Sequence, residues 1–106
     1  MQKVRVQAEP VVQIDNDRVI VTQWRFAPGA ETGQHRHAFD YVVVPMTTGN
    51  LLIETPGQSH LSALQTGQTY SRAAGVEHNV VNANPFEFIF IEIELKQKPD
   101  TAGAHK

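Results

Sequence analysis

The chain has 106 residues, of which 41% are hydrophobic and 19% are charged, and its formal net charge at pH 7 is -2. A chain of this length and composition folds as one globular domain around a single core, which excludes a disordered chain and a membrane-spanning one. Because the nine Lys and Arg residues are scattered rather than clustered, we expect a small-molecule partner and no nucleic-acid partner.

Short apolar stretches follow one another from residue 10 to residue 95. Turn residues such as Asp15-Asn16-Asp17 and Thr47-Thr48-Gly49-Asn50 separate them. The stretches predict strands at residues 10–14, 18–26, 35–46, 51–54, 59–64, 69–72, 76–82 and 86–95. No stretch has the apolar period of a helix. Short strands at regular spacing predict an all-β fold, either a sandwich or a barrel.

The last predicted strand is apolar on both faces. One face carries Phe86, Phe88 and Phe90, and the other carries Ile89, Ile91, Ile93 and Leu95. In a barrel, one face of such a strand fills the interior, and the other face needs a second sheet or a partner chain to cover it. The strand predicted over residues 35–46 has the same property. We therefore expect a homodimer.

The residues after the last predicted strand are polar and show no periodicity. We therefore expect one domain over residues 1–95 and a disordered tail over residues 96–106. Residues 1–10 contain no apolar segment of signal-peptide length, and no apolar run approaches the length of a membrane span. The expected location is the cytoplasm, with no membrane partner.

Three histidines lie in two segments that also contain glycines. His35 and His37 are one residue apart, so on an extended strand their imidazoles point to the same face. His78 lies in the second segment, and it completes a metal site only if folding brings it to the first two. The chain has no cysteine, so any metal must be held by imidazole, carboxylate or phenolate groups.

Two spaced motifs contain these histidines. The first runs from Gly29 to Gly49 and reads G-x5-H-x-H, with the second glycine closing the strand that follows. The other runs from Gly67 to Asn82 and reads G-x5-A-x-G-x2-H-x3-N. Together they resemble the two motifs of the cupin superfamily, G-x5-H-x-H-x3-4-E-x6-G and G-x5-P-x-G-x2-H-x3-N. The resemblance covers the whole chain before the tail and implies a single-domain double-stranded β-helix, or jelly-roll, barrel.

The resemblance also implies a metal centre. By position in the motifs, the ligands are His35, His37 and His78, and they hold one divalent metal ion, with Fe(II) favoured and Ni, Zn or Mn as alternatives. Three neutral imidazoles suit these metals and leave coordination positions open for water or substrate. The alternative is that the histidines only form hydrogen bonds inside the barrel, as in cupins that have lost their metal.

The glutamate of the first cupin motif is missing. The positions where the motif has it hold Tyr41 and Val42, and the nearest acid is Asp40. On a regular strand Tyr41 points to the side of the histidines and Asp40 points away, and only a bulge would exchange them. We therefore expect a three-His site beside Tyr41, which is either a catalytic phenol or part of the cavity wall. Asp40 is the candidate fourth ligand if the strand is bulged.

The run from His35 to Pro45 also resembles a group of small bacterial cupins of the type H-R-H-x-x-D-Y-V-V-V-P, some of which are described as β-alanine degradation proteins. Three-His centres occur in cupins that are thiol dioxygenases and diketone-cleaving dioxygenases. The resemblance therefore implies a dioxygenase-like enzyme that acts on a small molecule. The alternatives are a non-catalytic ligand-binding or sensory cupin and a non-redox metal-dependent isomerase or lyase, since one fold supports many functions.

Overall fold

The computed structural model describes residues 4–96, which form nine β-strands and no helix. The strands are β1 (Glu9–Asp15), β2 (Val19–Phe26), β3 (His35–Arg36), β4 (Asp40–Pro45), β5 (Gly49–Thr55), β6 (Gln58–Leu64), β7 (Tyr70–Arg72), β8 (Glu77–Asn82) and β9 (Phe88–Leu95). The prediction of an all-β fold is confirmed. Each predicted strand is present within two residues of its predicted bounds, except for the strand over residues 35–46.

The strands form two antiparallel sheets around one core. The first sheet has the order β1-β2-β9-β4-β7, and the second has the order β3-β8-β5-β6. Phe26 and Phe88 are fully buried, and the rings of Phe26 and Phe90 lie 5.4 Å apart between centroids. The buried hydrophobic cluster draws on both sheets and comprises Ala8, Phe26, Ala30, Tyr41, Val43, Leu51, Leu64, Val80, Phe88 and Phe90. The sheets therefore enclose a common interior.

The strand predicted over residues 35–46 changes sheet partway along. β3 pairs with β8 in the four-stranded sheet, whereas β4 lies between β9 and β7 in the five-stranded sheet. At the crossing, the His37 N–H donates to the Val76 carbonyl at 2.9 Å, and the Gly75 N–H donates to the His37 carbonyl at 2.8 Å. The prediction of one continuous strand is wrong, because apolar alternation does not record which sheet a strand pairs with.

β9 pairs with β2 on one side and with β4 on the other. Its inward face carries Phe88, Phe90 and Glu92, all of which are buried. Phe86, which the sequence placed at the start of this strand, precedes it and is 45% exposed. The isoleucines of the opposite face are half-buried. One carboxylate thus shares the inward face with the phenylalanines.

The asparagine that ends the second motif ties three segments together. The Asn82 side-chain amide donates to the carbonyl oxygens of Phe26 and Ala27, each at 3.2 Å, and to that of Phe86 at 2.8 Å. Asn82 is 2% exposed, so these bonds satisfy an amide that has no access to water. They fix the end of β8, the strand that also carries His78, against the end of β2.

The start of the predicted tail is held by the turn of the hairpin that β1 and β2 form. The Lys96 ammonium donates to Asp15 Oδ1 at 2.9 Å and to the Asn16 carbonyl at 2.7 Å. The rest of the predicted tail, residues 97–106, lies outside the described residues. Nowhere between residues 4 and 96 is there a helix with the length and hydropathy that a membrane span requires.

Candidate metal centre

The three histidines come from neighbouring parts of the four-stranded sheet and the crossing that leaves it. His35 on β3 lies directly opposite His78 on β8 in the antiparallel register. His37 follows β3 and is fixed by the backbone hydrogen bonds to Val76 and Gly75 described above. Gly75 has φ of 96°, a left-handed conformation that glycine adopts without steric cost. The glycine of the second motif therefore shapes the loop that holds His37.

The ring nitrogens of these histidines converge on one point. His37 Nε2 lies 3.0 Å from His35 Nε2 and 3.1 Å from His78 Nε2, and all three ligand atoms lie within 4.8 Å of one another. Two metal–nitrogen bonds of about 2.1 Å that meet at about 90° separate their nitrogens by about 3.0 Å. The donor set thus fits a single divalent metal ion with further coordination positions.

The loop before β3 orients the His35 ring. His35 Nδ1 donates to the Gly33 carbonyl at 2.8 Å, which leaves the lone pair on Nε2, the nitrogen that faces the other two rings. The Gly33 N–H in turn donates to Asn79 Oδ1 at 2.8 Å. Hydrogen bonds of this kind fix the tautomer and direction of a metal-binding imidazole. Asn79 follows His78 directly, so β8 helps to set two of the three rings.

The surroundings of the cluster keep two of the imidazoles neutral. Burial, with a smaller effect of the nearby His35, lowers the pKa of His37 to about 4. Burial likewise lowers the pKa of His78 to about 4, with smaller effects of His35, His37 and the Arg72 charge. A neutral imidazole has a free lone pair, which is the form that binds a metal. These two side chains are therefore in the ligating form at pH 7.

Tyr41 lies against the cluster, and Asp40 does not. The Tyr41 ring stacks on the His37 imidazole with 3.9 Å between centroids and 22° between planes, and it is 2% exposed. Burial raises the pKa of Tyr41, so the phenol is neutral. Asp40 Oδ1 accepts a hydrogen bond from the Ala74 N–H at 2.8 Å. The pairing of β4 with β9 is unbroken, so no bulge turns Asp40 toward the histidines.

Glu92 is a carboxylate of the site that the sequence analysis missed. Its Oε2 lies 3.9 Å from His37 Nε2, and its Oε1 accepts a hydrogen bond from Trp24 Nε1 at 3.3 Å. Burial raises the pKa of Glu92 to about 7, although the Trp24 hydrogen bond opposes this. Glu92 shares strand parity with Phe88 and Phe90. Because side chains alternate along a strand, the residue two positions after Phe90 on the same face is Glu92, so the sequence pattern could have identified it.

His35 and His78 of the cluster line a cavity of about 190 Å³ inside the barrel. This volume is below the range of about 300–1,000 Å³ that holds drug-sized ligands, so the cavity fits a small molecule. Val43, Leu51, Val80 and Phe90 contribute to a wall that is mostly apolar. The polar and charged side chains on the wall include His60, Ser62, Tyr70, Arg72 and Glu92, in addition to His35, His78 and Tyr41.

Two known proteins are similar to this chain over most of its length. No protein-family model matches the chain. The Beta-alanine degradation protein BauB of Pseudomonas aeruginosa is 62% identical over 92 residues, which make up 87% of this chain and 97% of that protein. A cupin domain of Bordetella pertussis, known from its crystal structure, is 60% identical with a TM-score of 0.89, over 91% of this chain and all of that one.

More distant structures share the fold. A Klebsiella pneumoniae protein with a double-stranded β-helix domain is 20% identical with a TM-score of 0.68, over 92% of this chain and 90% of that one. Such a likeness shows the architecture alone. The predicted double-stranded β-helix is therefore confirmed by structures as well as by the two sheets described above. On the strength of the Bordetella pertussis cupin domain, which is 60% identical over 91% of this chain, the chain belongs to the cupin superfamily.

Proposed function

We propose that this cupin binds one divalent metal ion through His35, His37 and His78 and acts as a metal-dependent enzyme on a small molecule. The observation that carries the proposal is the convergence of three Nε2 atoms, two pairs of which are 3.0 and 3.1 Å apart. Fe(II) is the favoured metal because the dioxygenase-like reaction requires a metal that reacts with O2, and Ni, Zn and Mn are the alternatives.

A divalent ion at this position would act as a Lewis acid on the substrate, and Fe(II) would add one-electron chemistry with O2. The apolar wall of the cavity limits the access of bulk water. Tyr41 packs against the His37 ring and holds its plane. Glu92, whose pKa is raised to about 7, exists in both protonation states near neutral pH. Its carboxyl can therefore give a proton to a substrate in the cavity or take one from it.

The relative from Pseudomonas aeruginosa bears on the substrate. Its name assigns it to β-alanine degradation. We extend this to the present chain as a proposal, in which the substrate is β-alanine or a short acid chemically related to it. The small cavity supports this choice, since a three-carbon acid has only about six non-hydrogen atoms and needs far less space than a drug-sized ligand. The dioxygenase-like reaction is the first reaction to test.

A non-catalytic role has one observation in its favour. Imidazole nitrogens 3.0 and 3.1 Å apart also lie at hydrogen-bonding distance, so protons shared among His35, His37 and His78 would satisfy the rings without a metal. In that case the cavity would bind or sense a small ligand and nothing would be turned over. The two functions differ in metal content, which can be measured directly.

The experiment is metal analysis of protein that is purified without oxygen and reconstituted with Fe(II). We expect about one ion per chain in the wild type and a content near zero in His78→Ala, because the variant lacks one of three ligands. His60→Ala is the matched control, since His60 lines the same cavity outside the cluster. It should retain the wild-type metal content. Equal metal content in His78→Ala and the wild type would refute the proposed site.

The reaction is tested by O2 consumption with the reconstituted protein. Candidate substrates are β-alanine, related short acids, small thiols and β-diketones. Uptake of O2 that requires both Fe(II) and one of these compounds would support the dioxygenase-like reaction. A protein that holds Fe(II) but consumes no O2 with any of them would instead favour the isomerase or lyase alternative. Conversion of the same compounds by the Zn-loaded protein tests that alternative.

A further inference from the structure

The cavity carries one fixed positive charge that the proposed metal centre does not use. Arg72 is the one Lys or Arg among the described residues that line the cavity, and Glu92 is the one Asp or Glu. Within residues 4–96 Arg72 forms no ion pair with a carboxylate. A guanidinium without an acidic partner at the wall of an apolar cavity is available to an anionic ligand.

Neighbouring groups hold the Arg72 guanidinium in a defined place. Its central carbon lies 4.5 Å from the centroid of the Tyr70 ring, and its Nη1 donates to the Ser71 carbonyl at 2.8 Å. Stacking on an aromatic face fixes the plane of a guanidinium, and only one of its five N–H groups is engaged by that carbonyl. The remaining donors can form the paired hydrogen bonds that recognise a carboxylate.

Tyr41 is a neighbour of both Arg72 and the histidine cluster. Arg72 on β7 pairs directly with Tyr41 on β4, and residues paired in this way project to the same face of a sheet. Tyr41 in turn stacks on His37. A short ligand in the cavity can therefore face both groups at once.

We propose that Arg72 is the site that binds the carboxylate of the substrate, so that the cavity selects short organic acids over their uncharged analogues. The carboxylate site specifies the substrate class of the proposed function. It rests on that function for the identity of the reacting centre. The binding step itself needs no metal. The acid pairs with Arg72 at the rim of the barrel, and the rest of the molecule points toward the histidines.

The test uses propionate as the probe and propionamide as its uncharged analogue of nearly the same shape. Each is titrated into the full-length, metal-free protein, and binding is followed by amide chemical shifts in NMR spectra. We expect propionate to perturb Tyr70, Ser71 and Arg72 in a saturable way and propionamide to bind at least about tenfold more weakly, because it lacks the charge-assisted hydrogen bonds. Equal binding of the two probes would overturn the proposal.

Variants identify the group responsible. Arg72→Gln should weaken propionate binding about tenfold or more, and Arg72→Lys should recover part of it, since lysine keeps the charge but not the paired geometry. Arg18→Gln is the control, because Arg18 is an exposed arginine in the first hairpin, outside the cavity. It should bind propionate as the wild type does. Unchanged binding by a folded Arg72→Gln protein would refute the assignment.

Metal content separates this inference from the proposed function. If the wild type takes up no metal, the proposed centre fails, but the metal-free titration still measures the contribution of Arg72. If the wild type holds one ion per chain and Arg72→Gln also does, while propionate binding is unaffected by the substitution, only the carboxylate site fails. Loss of metal is not expected in Arg72→Gln, because Arg72 lies outside the three-His cluster.

Discussion

Tyr41 can serve the site through its ring or through its hydroxyl. The ring stacks on the His37 imidazole at 3.9 Å and covers one face of a proposed ligand. Tyr41→Phe keeps the ring, so we expect unchanged metal affinity. Tyr41→Ala removes the support, and we expect metal affinity to fall about tenfold or more, as for other groups that orient ligands. Competition with a chelating dye for Zn measures both variants.

Turnover then separates the two roles of Tyr41. If the phenol handles a proton or positions the substrate, Tyr41→Phe should lose activity while it keeps its metal. If Tyr41 is only part of the wall, the same variant should keep both. A Tyr41→Phe protein with weakened metal binding would contradict the stacking argument, because the phenylalanine ring occupies the same place against His37.

The histidine cluster was predictable from sequence, whereas its surroundings were only partly so. His35 and His37 share a face because of their spacing, and the second motif supplied His78 by resemblance. Glu92 was missed because a charged residue near the end of an apolar strand reads as solvent-facing until the strand's inward side is known. Arg72 was missed for a related reason, since its pairing with Tyr41 depends on which strands are neighbours in the sheet.

At the scale of elements, a polar cluster beneath the site joins the N-terminal segment to β5 and β8. Arg5 donates to Glu54 through Nη1 at 2.9 Å and through Nη2 at 3.3 Å, and it also contacts Glu31 at 3.2 Å. Asn79 donates to Glu54 at 2.9 Å and to Glu31 at 2.8 Å. The cluster thus braces β8 next to His78, so its stability bears on the site.

The Glu54 carboxylate makes the stability of this cluster depend on pH. The hydrogen bonds from Arg5 and then from Asn79 lower the pKa of Glu54 below its ordinary value of 4.5. Its contribution to stability is therefore present above that value and is lost as the pH falls through the lower pKa of the folded state. At pH 7 we expect Glu54→Gln to cost about 0.5–1 kcal/mol, since the pair is partly exposed.

Urea unfolding at several pH values tests this expectation. The free energy of unfolding of Glu54→Gln should approach that of the wild type as the pH falls through the lowered pKa of the folded state, where the wild-type carboxyl becomes protonated. Glu87→Gln serves as a control, because Glu87 faces Arg25 at 3.7 Å on the exposed surface. Its effect at pH 7 should be smaller. A difference between Glu54→Gln and the wild type that is independent of pH would contradict the argument.

The extent of the strands was largely readable from sequence because turns leave local signals. Asp15-Asn16-Asp17 is one such signal, and the Asn16 side chain indeed accepts hydrogen bonds from the N–H groups of Arg18 and Val19 at 2.8 and 2.9 Å. The change of sheet between β3 and β4 has no such turn sequence. It depends on hydrogen bonds to Gly75 and Val76, about 40 residues further along the chain, which no local pattern records.

At the scale of the whole molecule, β1 is the element with the least burial. It lies at the edge of the five-stranded sheet, pairs with β2 and with no other described strand, and is exposed along its entire length. Val11, Val12 and Ile14 are 54%, 57% and 48% exposed. An edge strand with apolar side chains and an open row of backbone groups is prone to pair with another chain. Within residues 4–96 of a single copy, no other element covers this surface.

We propose that β1 forms the interface of a homodimer with β1 of a second copy. Light scattering after size exclusion should give the mass of two chains for the wild type and of one chain for Ile14→Lys, because a buried lysine without a partner is costly at such an interface. Leu61→Lys is the control, since Leu61 on β6 is 62% exposed on the other sheet. It should remain dimeric. A monomeric wild type, or a dimer that Leu61→Lys breaks and Ile14→Lys does not, would refute the β1 interface.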